Sequence, residues 1–419
     1  TQNQVRMQSE VRSYSRAFPV MSSRRARPAL LMEEGAEYNA FLARACTLNS
    51  AHNNPHLTLA LRAYIALHAI DNGLVLWSAP KRVFPENPEE VFVMQRGQVC
   101  KMHLLAPTAI IGVEAAIRLV RVAKAHLNIV SFTNGFHCVP MGAVGTTGNG
   151  KCREATAGVR TQAGYIRRYE GYLGRSADTL HYFQKRLAVM SGGLDVLAAA
   201  IALDGAGRVG INVAGLPWLK RLEIIGRARD ILLIRDDIAA WLQTTGKSIN
   251  FEHAIITPEI LANSKPAPGL CLPFARGVMC RVPVNLIPGL FIDAIPAYTL
   301  PFDSGGGGTR QYSTAVNLDP EVKSEALIDA ERLNMNVLWL SENAYRTYAP
   351  ALGLMPAIDV GSADIGVMST RLAFENGVII QTGAHAGYAI MSRSRVTITA
   401  VAQVGRLDSH ATSAKQAFS

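Results

Sequence analysis

Two hydrophobic rhythms alternate through the middle of the chain. Residues 107–126, PTAIIGVEAAIRLVRVAKAH, open on Pro-Thr and keep Val113, Ile117, Val120 and Ala123 on one face, so a long helix is expected. NIVSFTN (128–134) is a β-branched run stopped by Asn134-Gly135, which reads as strand and turn. DVLAAAIAL (195–203) is a continuous apolar run. LPWLKRLEIIGRARD (216–230) sets Trp218, Leu222 and Ile225 on one helical stripe, and short strands are expected at Ile231–Ile234 and Ile260–Ala262. Near-continuous apolar strands alternating with amphipathic helices signal a mainly parallel sheet covered by helices, an α/β fold.

Outside this block the pattern is thinner. HLTLALRAYIALHAI (56–70) has helical spacing, and 319–348 reads as a long helix. DVGSADIGVMS (359–369) and ENGVIIQTG (375–383) read as strands of a second, smaller α+β unit. DSGGGGTR (303–310) reads as a flexible linker rather than a phosphate loop, because no Lys-Ser/Thr comes after it. The expected division is a large domain over 56–302 and a small domain over 311–419, with residues 1–55 belonging to the small domain.

Composition narrows the classes. The chain has 419 residues, 49% of them hydrophobic, enough for a substantial core and a companion domain. Six cysteines without a CxxC pair or regular spacing suit a reduced, cytoplasmic protein and give no metal-ligand pattern. The first residues given are polar, so a secretory leader is not expected. The most apolar segment, 270–302, is interrupted by five prolines (Pro273, Pro283, Pro288, Pro296, Pro301) and by Arg276, Arg281 and Asp293. A membrane helix needs about 20 uninterrupted apolar residues, so buried sheet and loop are expected instead. The net charge of +10 suits a solvated basic face or the attraction of anionic small substrates. The basic residues near the N-terminus carry no interleaved aromatic platform, which argues against nucleic acid.

Chemistry enters at the strand exits. Ligands of parallel sheets lie beyond the carboxyl ends of the strands, and there the chain places Asp236 and, 29 residues later, Lys265. A lysine at a strand exit is ordinarily a solvated cap. Lys265 sits among Leu261, Ala262, Pro266, Ala267 and Leu270, and an apolar setting turns a lysine into a nucleophilic amine suited to a Schiff base. Asp236 either caps the next helix, as Asp237 also could, or serves as charge partner to a protonated ring nitrogen. Phe136 reads as a core aromatic at a strand end, and His137 as a packing residue.

At these residues the sequence resembles the class III aminotransferases of fold type I, which use pyridoxal 5′-phosphate (PLP). The resemblance is carried by SEVRSYSRAFPV (9–20), CTLNSAHNNP (46–55), IVSFTNGFH (129–137), YEGYLGRSADTL (169–180), GINVAGLPWLKRLEII (210–225), LLIRDDI (232–238) and SKPAPGLCLPFA (264–275). It implies that Lys265 forms the Schiff base and moves the substrate proton, that Asp236 pairs with the pyridine nitrogen, and that Phe136 stacks on the ring. Ala109 and Ile110 fall where the family holds the phosphate at a helix N-terminus. The motifs at 9–20 and 46–55 resemble those of members that exchange the terminal amino group of L-2,4-diaminobutyrate with 2-oxoglutarate, which implies the same reaction here. Amino acids and 2-oxo acids are then the expected partners, and a homodimer the expected assembly.

Departures accompany the likeness. Ala109-Ile110 stands where the family has Gly-Thr, Ala294 in IDAIPA (292–297) where it has threonine, GRVG (207–210) where it has Gly-Glu-Gly-Gly, and Ala239 where it has glutamine. Each lost charge-assisted hydrogen bond costs about 1.5–3 kcal/mol. Two such losses amount to roughly 10²–10⁴ in cofactor affinity, in part offset by covalent attachment at Lys265. The same departures keep open a second reading, a catalytically inactive protein of this fold acting as a structural or basic binding module.

Overall fold

The structure is a computed structural model. It describes residues 18, 20, 22–25, 29–41, 62, 66–67, 101–105, 109–133, 135–154, 163–166, 178–203, 214–240, 245, 250–262, 276–280, 351–352, 355–360, 362–383 and 389–391. In chain order its strands are β1 (Ser22–Arg25), β2 (Leu30–Met32), β3 (Glu37–Ala40), β4 (Lys101–Leu105), β5 (Asn128–Phe132), β6 (Ala163–Ile166), β7 (Leu197–Leu203), β8 (Leu232–Asp236), β9 (Ile260–Ala262) and β10 (Arg276–Cys280). They continue with β11 (Ala351–Leu352), β12 (Met355–Asp359), β13 (Val378–Ile379), β14 (Gln381–Gly383) and β15 (Ala389–Met391). The helices are α1 (Ala109–Lys124), α2 (Met141–Val144), α3 (Gly150–Arg153), α4 (Thr179–Ala188), α5 (Leu216–Ala228) and α6 (Ala363–Glu375), with a 3₁₀ turn at Asn250–His253.

The central sheet has the order β4-β10-β9-β8-β7-β5-β6. Strands β6, β5, β7, β8 and β9 are mutually parallel. β10 is antiparallel to both β9 and β4, so β4 runs with the main set. The carboxyl ends of six strands therefore share one edge, and α1 begins just past the end of β4 on that edge.

Burial explains why these strands form. β7 is buried along its whole length, and its alanines let helices approach both faces closely. One face packs Val130, Phe132, Ala200 and Leu233 against Leu180 and Phe183 of α4 and Trp218, Leu222 and Ile225 of α5. The other packs Ile129, Ile201, Ile234 and Ile260 against Val113, Ala116, Ile117 and Val120 of α1. The helical stripes read from the sequence for α1 and α5 are the buried ones. Side chains alternate across a strand, so Asp236, two residues after Ile234, faces the α1 side.

The smaller sheets are β1-β2-β3-β13 and β11-β12-β15-β14. β13 pairs parallel with β3, and Tyr38 stacks on Phe374 with ring centroids 4.7 Å apart, tying residues 37–40 to 374–379. The strands expected within 375–383 are present as β13 and β14. The strand expected over 359–369 is not: from Ala363 the chain is helical. The buried face of α6 is made of Gly366, Ser369 and Ala373, at helical spacing, while Val367 and Met368 are exposed. Small residues carry the packing, so the apolar side chains mislead. Most of the expected helix over 56–70, the helix over 319–348, most of the 270–302 segment and the linker at 303–310 lie outside the described residues.

Candidate active site

Asp236 is the last residue of β8, buried with 3% exposure at the carboxyl edge of the sheet. One carboxylate oxygen accepts the Ile238 N–H at 3.3 Å. The other lies 2.9 Å from Nδ1 of His137, itself fully buried. An ionised carboxylate can only accept, so Nδ1–H donates to Oδ2. The partners are 99 residues apart in sequence and meet because β5 and β8 end on the same edge. The His137 Nε2 atom is buried without a hydrogen-bond partner among the described residues.

The segment that delivers Phe136 and His137 is built for fixed geometry. Phe132 O accepts from Gly135 N, and Gly135 O from Gly148 N at 2.6 Å, closing the loop on itself. The His137 N–H donates to Thr147 Oγ1 at 3.0 Å, and that hydroxyl donates to Cys138 O at 2.9 Å. Glycine is required at 135, since a Cβ there would lie 2.7 Å from His137 Nε2. Phe136 is half-buried beside this pair.

Cys138 has φ +83°, a left-handed backbone that a side chain strains by about 1–3 kcal/mol. Cys138→Gly relieves that strain at a smaller entropic cost. It is expected to raise unfolding stability by roughly 1 kcal/mol in urea titrations.

Among the described residues Asp237 caps no helix, and the chain turns at 238–240. Its N–H donates to Ala262 O at 2.8 Å, and its Oδ2 accepts the Asn250 N–H at 3.0 Å. Burial pushes its carboxyl up to about 7, with the neighbouring acids Asp236 and Glu252 adding to the rise and the Asn250 N–H and Arg235 opposing it. The folded state thus holds this proton more tightly than the unfolded chain. The stabilisation is complete below the ordinary carboxylate range, near pH 4, and is lost as pH rises through about 7. Asp237→Asn keeps an acceptor for Asn250. It is expected to flatten the fall in stability between those values, by up to about 4 kcal/mol at pH 8 relative to the parent. Urea titrations at pH 5 and pH 8 measure this.

Helix α1 presents its N-terminal end, Ala109 and Ile110, at the same sheet edge. Lys265 lies outside the described residues. The register pairs Asp236 with Ala262, three residues before Lys265, so the chain leaves β9 directly beside the carboxylate. Among the described residues no group of histidines, cysteines and acids could hold a metal ion, and no helix is long and apolar enough to cross a membrane. The sequence reading missed His137 as the partner of Asp236; the only local signal was its place next to Phe136 in NGFH.

Residues 12–286 match the family of class-III aminotransferases. The chain is 50% identical over 419 residues, the full length of both proteins, to the diaminobutyrate–2-oxoglutarate transaminase of Halomonas elongata. It is 35% identical over 384 residues to the protein of the same name from Bordetella parapertussis, covering 90% of this chain and 86% of that one. Its fold superposes with a TM-score of 0.86 on the omega transaminase of Pseudomonas jessenii in complex with PMP, at 14% identity over 99% of this chain and 97% of the other. The ornithine aminotransferase of Toxoplasma gondii gives 0.80 at 17% identity, over 99% and 97%. The sheet with its acid at the β8 exit, the full-length relatives and the shared fold lead to one conclusion: the chain belongs to the class-III aminotransferases, fold type I enzymes that work with pyridoxal 5′-phosphate.

Proposed function

We propose that this aminotransferase exchanges the terminal amino group of L-2,4-diaminobutyrate with 2-oxoglutarate, in the service of ectoine biosynthesis. The observation that carries the reading is the buried His137–Asp236 pair at the carboxyl edge of the sheet. The names of the full-length relatives supply the substrates.

The residues present fit PLP. A carboxylate that gives one oxygen to a buried imidazole is locked in orientation and presents negative charge toward the α1 side of the edge. A protonated pyridine nitrogen meets that requirement. The N-terminal N–H groups of a 16-residue helix and its dipole favour a phosphate at the same edge, even with alanine and isoleucine at 109 and 110. PLP, when bound, supplies an electron sink for charge developing at the substrate carbon that carries the amine.

The chain's own residues do the remainder. Asp236 holds the proton on the pyridine nitrogen, and His137 holds Asp236. Phe136 would stack on the ring, a contact worth about 0.5–1.5 kcal/mol beyond burial. Lys265 would hold the cofactor and would move the proton to and from the substrate carbon. With this reading we divide the chain into a large PLP-binding domain (56–302) and a small domain (311–419) joined by residues 1–55, a division supported by the β3–β13 pairing. The family resemblance further implies a cytoplasmic homodimer.

Purification with PLP, followed by absorbance and by glutamate release or consumption with L-2,4-diaminobutyrate and 2-oxoglutarate, tests the assignment. A yellow chromophore and turnover of this pair are expected. A chromophore with turnover of other amines would refute the substrate. Absence of both would assign the chain to the non-catalytic reading.

A further inference from the structure

Glu114 lies on α1, the helix whose N-terminal end is the proposed phosphate site, and it is half-buried. Its two oxygens accept from two consecutive backbone amides of α2, Gly142 N–H at 3.0 Å and Ala143 N–H at 2.7 Å. Helix α2 belongs to the loop that carries Phe136 and His137. That loop is internally closed by the Gly148–Gly135 and His137–Thr147 bonds and by Thr146 Oγ1 donating to Ala143 O at 2.7 Å. One carboxylate therefore ties the phosphate-end helix to the ring-end loop. The fit leaves no slack: a Cβ at Gly142 would lie 2.6 Å from Glu114 Oε1.

Two charge-assisted hydrogen bonds to adjacent amides fix both distance and orientation, where one bond would permit rotation about it. Ala143 of the loop is buried in one cluster with Val113, Ala116 and Ile117, contacts that lack direction, and the carboxylate adds a directional restraint against a slide of α1 past the 135–148 loop. A rigid cofactor bound at one end by its phosphate and gripped at the other by its ring senses such a slide directly. We infer that Glu114 is a positioning residue that sets the spacing between the helix end at Ala109–Ile110 and the Phe136–His137 pair, and so sets cofactor affinity without touching the cofactor. The inference rests on the PLP reading above.

The test compares the cofactor-free parent with Glu114→Ala, Glu114→Gln and a control, Glu223→Ala. Glu223 also ties a helix to a loop, but at the opposite edge of the sheet and through one oxygen, Oε1, which accepts the Thr257 N–H at 2.7 Å and pairs with Arg227. Each chain is melted without cofactor, then titrated with PLP by absorbance, with visible circular dichroism of the bound ring as a further signature. Glu223→Ala is expected to lower the melting temperature and leave the PLP dissociation constant within about twofold. Glu114→Ala is expected to raise the dissociation constant about 10- to 100-fold and change the dichroic band. Glu114→Gln, which keeps one acceptor, should fall between, and it decides the matter if the alanine variant does not fold. Parent-like affinity in the Glu114 variants, with only the melting temperature lowered, would overturn the inference and leave the PLP reading intact. A parent that binds no PLP would overturn both.

Discussion

Replacing Lys265 with alanine is expected to remove the yellow chromophore of the PLP-loaded protein and lower turnover by roughly 10²–10⁴-fold. Proton transfer at the substrate carbon needs a base held within hydrogen-bond reach of it. His137 is committed to Asp236 through Nδ1. The register places Ala262 beside Asp236, and three further residues bring the chain to position 265. The alanine variant should fold, since the change removes an amine and adds neither bulk nor charge. Its melting temperature without cofactor should match the parent. A chromophore that survives the substitution would remove Lys265 from both roles.

The second large effect belongs to the buried pair. Asp236→Asn keeps the shape but loses the charge, which costs about 1.5–3 kcal/mol of transition-state stabilisation, a drop of roughly 10- to 100-fold in kcat. His137→Phe leaves the carboxylate buried without its imidazole, and breaking a buried pair in this way destabilises by about 3–5 kcal/mol. The two sites are coupled. In the double variant, Asp236→Asn with His137→Phe, the stability loss should be smaller than the sum of the single losses, because no uncompensated charge remains. Urea titrations of the four chains measure the coupling. Strict additivity would mean that the 2.9 Å contact carries no energy.

Much of the central sheet could be read directly from the hydrophobic pattern. The stripes Val113–Ile117–Val120 and Trp218–Leu222–Ile225 are those that pack the two faces, because long amphipathic helices advertise their buried side through period alone. The acid at the end of β8 was legible for a similar reason: an apolar run that stops on Asp236 marks a strand exit. His137 was not. Its role depends on β5 and β8 ending together, a fact of strand order that local spacing does not encode. Glu114 and Asp237 escaped for the same reason, since their partners lie 28 and 13 residues away and are backbone amides, which leave no residue-type signature. In α6 the pattern pointed the wrong way because Gly366, Ser369 and Ala373 do the packing.

The claim on which the mechanism turns is that the carboxylate of Asp236 keeps a proton on the pyridine nitrogen of the bound cofactor. The nitrogen-15 resonance of PLP labelled at that atom, recorded in the loaded parent and in Asp236→Asn, reads this protonation directly. The parent should give the shift of a protonated pyridine nitrogen at pH 8, and the asparagine variant that of the unprotonated ring. An unprotonated nitrogen in the parent, or a protonated one that persists in the variant, would contradict the assignment.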